Sequence, residues 1–419
     1  MAHASFNLWS GLLLGGALFG LLYSVLSLLV LMVSLRRKPP DTNPAFAPPI
    51  TVFKPLKGLD EDLPRNLESF FHQNYPSCEL IFGVNDLDDP AIGVVRKLIA
   101  KYPESRAKLV IDTRREGLNP KVNNLCNIAR HANYDYWVIS DSNVRVDSDY
   151  LSGIVRCMQD RRVGLVTSLI RGVGGERLGA RLENLHLNSF IASGVVAVTR
   201  LTGIPASIGK SMLLRRDIIT RLGGFEAFAN CLLEDGLIGR NIRKLGYRTE
   251  ISMHAVENIN HKYSVSDFLS RHGRWALMRR HLNIAHFAME IFSYPVLFAL
   301  AAAIVTPSVL TASIASAIVL LKTAVDILTV RAVGGDISLA SIPLLPAKDL
   351  LLSAVWARTF FTNRVTWRGH HFRIGAMTRI TPVLPRTAFS FFAVPRRTGV
   401  IRRKYDYAVE WLSARVLGL

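Results

Sequence analysis

CELIFGVND, residues 78–86, decides the fold. Its apolar centre is continuous rather than alternating, so both faces of the predicted strand must be covered, the pattern of a buried parallel strand. ITVFKPL (50–56), KLVID (108–112) and YWVISD (136–141) repeat it, and helical patterns such as LPRNLESFFHQ (63–73) lie between them. Strands alternating with helices predict an α/β domain around a parallel sheet. Ligands of such sheets gather beyond the carboxyl ends of the strands, where Asp86 and Asp141 fall.

Hydrophobic segments bracket this domain. Residues 9–35 carry no charge and are long enough to cross a bilayer core of roughly 30 Å. The run is too long for a signal peptide and meets Arg36-Arg37-Lys38 instead of a small-residue cleavage site, so a retained anchor is expected. The positive-inside rule then puts that basic cluster, and the domain after it, in the cytosol. Pro39-Pro40 and the following DTNPAFAPP predict a stiff linker to the first strand. A second block, 288–330, is expected to cross twice with an outer turn at Thr306-Pro307-Ser308, and Lys322 and Asp326 to pair one helical turn apart, or else to meet a lipid headgroup. A third, 338–361, contains Lys348, Asp349 and Arg358, which suits a re-entrant or interfacial segment better than a simple span. The arginine-rich tail after it belongs on the cytosolic side. The expected domains are thus an anchor (1–38), a cytosolic α/β domain (48–285), membrane-embedded helices (286–362) and a basic cytosolic tail (363–419).

Of 419 residues, 49% are hydrophobic, and the net charge is +19. The basic residues cluster beside the apolar blocks, and no zinc, RRM or helix-turn-helix signature is present, so an anionic lipid bilayer is the expected partner and nucleic acid is not. Cys78, Cys126, Cys157 and Cys231 show no CxxC spacing, consistent with a reducing compartment.

Other polar residues stand where chemistry needs them. Lys121 in GLNPKVNNL opens a predicted helix, a place that favours phosphate, and Lys54 in KPLKG near a strand end is a similar candidate. Glu234-Asp235 open the amphipathic pattern GLIGRNIRKLGYR, where the helix dipole alone would favour acids. Arg271 and Arg274, three apart, share a helical face suited to a diphosphate, and Trp275 follows them.

These segments, with VFKPLKGLDEDLPRNLESFFHQNYP, LIFGVNDLDDPA, SDSNVRV, VGLVTSL, GKSMLLRRDIITRLGGF, LEDGLIGRNIRKLGYR and RHGRW, resemble the ceramide glucosyltransferases of family 21 and their bacterial relatives, glycosyltransferases related to family 2. The resemblance implies a GT-A, Rossmann-like domain with an N-terminal transmembrane anchor and C-terminal membrane helices. It implies Asp86 on the nucleoside, Asp141 as the main ligand of Mg²⁺ or Mn²⁺ with Asn143 auxiliary, and Asp235 as general base. Lys54, Lys121, Glu234, Arg271, Arg274 and Trp275 are implied in binding the donor and acceptor, with Trp275 at the bilayer edge or lining the acceptor channel. Asn143 departs from the family's second acid, and Gly209 matches a segment lying under the sugar.

The implied reaction is inverting transfer of a hexose, glucose first, from a UDP-sugar to a lipid hydroxyl, ceramide first, with a hopanoid or diacylglycerol second and a processive polysaccharide third. The implied setting is a multi-pass membrane protein with a cytosolic catalytic domain, in a bacterial inner membrane or, in a eukaryote, the Golgi. A scaffold that had lost chemistry would lack one of Asp86, Asp141 or Asp235, and all three are present. A transporter would need more spans than this chain offers.

Overall fold

The computed structural model describes residues 7–37, 46–204, 208–367 and 370–383, so most of the proline linker and the tail beyond 383 lie outside the described residues. Four strands form where the sequence places them: β1 (Ile50–Pro55), β2 (Cys78–Val84), β3 (Ala107–Ile111) and β4 (Tyr136–Ser140). They pair in parallel in the order β3-β2-β1-β4. Alternate residues serve opposite layers. Val52, Leu80, Phe82 and Val138 pack with Leu67 and Val95, while Phe53, Ile81 and Ile139 pack with Val122, Leu125 and Ile238. Burial on both faces is why these strands are apolar throughout.

The sheet continues through β5 (Val144–Arg145), β6 (Val163–Gly174), β7 (Ser211–Arg215) and β8 (Arg248–Asn260), giving eight strands in the order β3-β2-β1-β4-β7-β6-β8-β5. The expectation of a parallel sheet therefore holds for six of its eight strands, since β6 and β8 pair in parallel and run with the first four. β7 runs antiparallel to both β4 and β6, and β5 antiparallel to β8. Strand direction follows from the connection, which periodicity does not encode. The reversal has a use: Ser140 pairs with Ser211, so the residues just beyond, Asp141 and Lys210, meet at the same edge of the sheet.

The N-terminal helix Leu8–Arg36 has 29 residues, about 43 Å at 1.5 Å per residue. Leu14, Ala17, Leu21, Leu28 and Leu31 are buried along one stripe, whereas Leu12, Leu18, Phe19, Leu22 and Leu29 are exposed. Among the described residues three helical stretches are each long and apolar enough to cross a membrane: Leu8–Arg36, Val309–Ala332 and Leu339–Phe361. The first half of the expected pair of crossings over 288–330 is a bent helix pair, apolar enough when taken together for a broken span or a re-entrant loop. Pro295–Val305 has only 11 residues and joins Ile284–Ser293 at a 65° bend, because Pro295 at the helix start cannot donate to the preceding turn.

Lys322 does pair with Asp326, at 2.6 Å. Lys348 and Asp349 join them: Lys348 lies 2.8 Å from Asp349, and Lys322 lies 3.3 Å from Asp349. This buried, charge-balanced group clasps Val309–Ala332 to Leu344–Arg358 and explains how an apolar segment tolerates a Lys-Asp pair. The chain just before the third block and the turn at its end touch the α/β domain. The Gly334 carbonyl accepts from Arg171 at 3.3 Å, and Arg280 donates to the carbonyls of Thr359 and Thr362.

Beyond that helix, β9 (Arg364–Trp367), β10 (His370–Ile374) and β11 (Ile380–Pro382) form a second, antiparallel sheet. The start of the expected basic tail is therefore folded structure. Val365, Phe372, Ile374 and Ile380 alternate with exposed polar residues and pack on Leu232, Leu277 and Met278.

Candidate active site

The carboxyl ends of β1, β2 and β4 open into a cavity of about 1510 Å³. Asp86, two residues past β2, stands exposed at its edge and accepts the Asp88 N–H at 3.1 Å. Asp89 is structural, accepting from Gly58 N and Ala91 N.

Asp141 lies at the centre of a charge cluster. Its carboxylate is 2.9 Å from the Lys121 ammonium and 3.1 Å from that of Lys210. Burial opposes the charge of Asp141, but the two lysines outweigh it and hold its carboxyl below the usual range. Lys121 begins the helix Pro120–Ala129, capped by Asn119, and also lies 3.1 Å from Glu234. Burial works against that ammonium too, yet Asp141 and Glu234 keep its pKa above the ordinary value. Glu234 is buried and accepts from Asn119 Nδ2 at 3.3 Å, so within this structure it tethers Lys121 and the helix start.

Asp235, next in the chain, accepts the Gly209 N–H at 2.7 Å and the Gly236 N–H at 2.7 Å. A Cβ at Gly209 would come within 2.6 Å of the Asp235 carboxylate, so only glycine allows this approach. Burial, and then the Glu234 charge, push the Asp235 pKa up to about 6, against the pull of Lys121 and the two N–H groups. A carboxylate poised there suits general-base chemistry near neutral pH.

Arg271, Arg274 and Trp275 enter the cavity from the helix Val265–Leu282. Arg271 donates to Tyr263 Oη at 3.1 Å, and its guanidinium lies 4.7 Å from the Trp275 ring centre. Trp275 packs with Leu232 and Phe372, which places it in the cavity wall. Lys54 is the sequence-predicted site residue that does not reach the cavity. It is fully buried, donates to the Asp141 carbonyl at 2.7 Å and to Ser140 Oγ at 3.2 Å, and sits 3.9 Å from the Phe70 ring centre. The expectation that it meets phosphate is corrected: a lysine pointing under the sheet edge supports the Asp141 backbone, and burial lowers its pKa.

Several residues here were not singled out from sequence. Lys210 lies between Asp141 and Asn143, 2.6 Å from Asn143 Oδ1. Glu183, fully buried on the helix Leu178–His186, accepts from His272 at 2.7 Å and lies 3.2 Å from Arg271. Its neighbours Arg181, Asn184 and His186 make the stretch look like an ordinary polar helix face, so the sequence carries no clear signal for it. The second sheet was missed altogether, although it grips the approach to Asp235. Leu232 N–H donates to Thr378 O at 3.0 Å, Leu233 N–H to Thr378 Oγ1 at 3.3 Å, and Ile380 N–H to Asn230 O at 2.9 Å. Met377 and Thr378 hold left-handed backbone, φ 52° and 57°, to make this turn.

The remaining wall is apolar. Leu187 and Ile191 of the π-helical turn Leu187–Ile191, Val195 of the helix Ala192–Thr202, and Ile204 and Ile208 face the cavity. That helix is also packed on the N-terminal helix through Ala192, Val196 and Leu31.

Among the described residues no three His, Cys, Asp or Glu side chains converge as a metal site. Asp141 and Asn143 nevertheless offer hard oxygen donors, and the Lys210 ammonium between them shows that the position accepts a cation. One carboxylate with an amide suits a divalent ion that takes its other ligands from phosphate and water.

A charge cluster at strand ends, one carboxylate poised near neutrality and an apolar wall beside membrane helices together define the kind of α/β domain used by GT-A glycosyltransferases. The chain belongs to glycosyl transferase family 21, whose sequence pattern matches residues 12–380. Ceramide glucosyltransferase 3 of Caenorhabditis elegans is 33% identical over 233 residues, 55% of this chain and 50% of its own length. Ceramide glucosyltransferase 1 of the same organism is 30% identical over 273 residues, 65% and 58% respectively, and the ceramide glucosyltransferase of Komagataella phaffii is 26% identical over 298, 58% of each. The chain thus spans about half the length of the curated relatives it matches. Among solved structures, a mannosyltransferase from Pyrobaculum calidifontis in complex with GDP-Man and Mn²⁺ superposes with a TM-score of 0.48 at 19% identity, covering 83% of this chain and 99% of that one.

Proposed function

We propose that this protein is an inverting, membrane-bound glycosyltransferase that moves a hexose, glucose, from a UDP-sugar to the hydroxyl of a ceramide-like lipid. The observation that carries this reading is the Asp235 carboxylate, fixed by Gly209 and Gly236 in a cavity with lysines and arginines on one side and Leu187, Ile191 and Val195 on the other.

Asp235 takes the proton of the acceptor hydroxyl as its oxygen bonds to the anomeric carbon and the bond from that carbon to the diphosphate oxygen breaks. One base and no protein nucleophile suffice for inversion. Lys121, Arg271 and Arg274 meet the negative charge of the departing UDP, Asp86 holds the nucleoside, and Glu234 keeps Lys121 in place. Trp275 closes the cavity wall beside the arginines. Mg²⁺ or Mn²⁺ held by Asp141 and Asn143 together with the diphosphate would offset further charge on the leaving group.

The catalytic domain (48–285) faces the cytosol, with residues 1–38 as its anchor. The chain just before the third block and the block's last turn both contact that domain, which supports residues 338–361 as a re-entrant or interfacial segment that returns to the side from which it set out. Net charge +19 favours an anionic bilayer such as a bacterial inner membrane.

The deciding experiment supplies the purified protein with UDP-sugars and lipid acceptors and weighs the glycolipid formed. Glucosylceramide supports the reading. A hopanoid or diacylglycerol product would replace the acceptor, a polymer ladder would make the enzyme a synthase, and no glycosyl product with any UDP-sugar would overturn it.

A further inference from the structure

Lys210 has no role in the reaction as described so far, yet it occupies the most charged point of the cavity. It directly precedes β7, and the register of β7 against β4 brings it opposite Asp141. Its ammonium is 3.1 Å from Asp141 Oδ2 and 2.6 Å from Asn143 Oδ1, while its carbonyl accepts the Asp141 N–H at 3.4 Å. The neighbouring Gly209 accepts from Lys121 at 3.3 Å through its carbonyl and donates to Asp235 through its N–H. One short segment therefore touches Asp141 and Asn143, the second lysine and the base.

Resting on the reading of the cavity as a donor-diphosphate site, we propose that Lys210 is a diphosphate ligand that doubles as a resident cation. With no donor bound, its ammonium bridges Asp141 and Asn143 and closes that position to a divalent ion. When a diphosphate arrives, the ammonium moves onto a phosphate oxygen and the ion enters between Asp141, Asn143 and the diphosphate.

Three observations support this. The Lys210 ammonium engages both Asp141 Oδ2 and Asn143 Oδ1, while Lys121 holds only the other Asp141 oxygen, Oδ1, and an ammonium and a divalent ion repel at such short range. Asp141 and Asn143 alone are a sparse donor set, so an ion there depends on phosphate oxygens for the rest of its shell. Finally, the lysine is a point charge on a four-carbon stem whose side chain keeps 14% exposure to the cavity, so it can swing without disturbing the sheet.

The test is Mn²⁺ binding to the full-length protein in micelles, read by the electron paramagnetic resonance signal of free Mn²⁺, without additive, with UDP and with inorganic pyrophosphate. Wild type is expected to take up Mn²⁺ only with a diphosphate. Lys210→Met, which keeps the stem and loses the charge, should bind Mn²⁺ alone, and its affinity for UDP at saturating Mn²⁺ should fall about tenfold, the worth of a lost charge-assisted hydrogen bond. Lys210→Arg should restore the dependence on a diphosphate. Equal Mn²⁺ uptake by wild type with and without a diphosphate, no uptake under any condition, or a Lys210→Met variant identical to wild type would each overturn the proposal. Mn²⁺ uptake with pyrophosphate but not UDP would uphold the role of Lys210 and instead count against UDP as the leaving group.

Discussion

Replacing Asp235 with Asn removes basicity at nearly constant volume. The structure allows the consequences to be separated. Asp235 now accepts from two backbone N–H groups, Gly209 and Gly236. An asparagine keeps one acceptor oxygen and presents an NH₂ to the other donor, so one hydrogen bond is lost, about 1 kcal/mol or somewhat less than tenfold. Loss of the general base adds roughly 10²–10⁴-fold in rate. The expected outcome is a fall in kcat of about 10³-fold or more, with UDP affinity changed by less than tenfold. The pH profile supplies a second mark. The base works deprotonated and its pKa lies at about 6, so wild-type turnover should fall as pH drops through 6, whereas residual turnover of Asp235→Asn should lack that limb. The assay measures glycolipid formation by mass across pH 5–8, with UDP binding by calorimetry on the same preparations. Turnover within a few-fold of wild type, with intact UDP binding, would show that the acceptor proton goes elsewhere.

Chelation of divalent ions should abolish transfer and addition of Mg²⁺ or Mn²⁺ restore it, with Asp141→Ala weakening UDP binding in the presence of metal; full activity in metal-free buffer would refute the metal's part in the mechanism. Glu183→Gln leaves Arg271 beside a neutral amide in a buried site, a penalty of about 1–3 kcal/mol, so UDP affinity should fall about tenfold or more; unchanged affinity in a folded variant would remove Glu183 from the support of Arg271. Lys322→Met leaves Asp326 and Asp349 sharing only Lys348, and should cost about 3–5 kcal/mol in thermal unfolding, most of it regained in Lys322→Met with Asp326→Leu; equal stability of single and double variants would refute the charge-balance account.

The four parallel strands β1–β4 were legible because Ile81, Phe82 and Val138 leave no polar face, and the strand-end acids Asp86 and Asp141 followed from them. Asp235 was legible through the resemblance, since a helix start explains an acid there without any chemistry. Lys54 misled because a strand-end lysine points toward the ligand or away from it according to which face of the strand it occupies. Lys210 escaped notice because its partners are set by an antiparallel register between segments about 70 positions apart, and sequence spacing carries no register. The three C-terminal strands are short and lie among arginines such as Arg368, Arg373 and Arg379, so Val365, Phe372 and Ile380 looked like isolated apolar residues in a basic stretch.

The grip of Thr378 on Leu232 and Leu233 sets the order in which this protein becomes active. Leu233 waits for a partner that lies 145 positions later in the chain. At a synthesis rate of about 5–20 residues per second, that interval is roughly 7–30 s, and the helices from Pro295 to Arg358 emerge within it. A nascent chain thus carries every acid of the pocket before it has the turn that sets them, and the last piece arrives only after the apolar helices have left the ribosome.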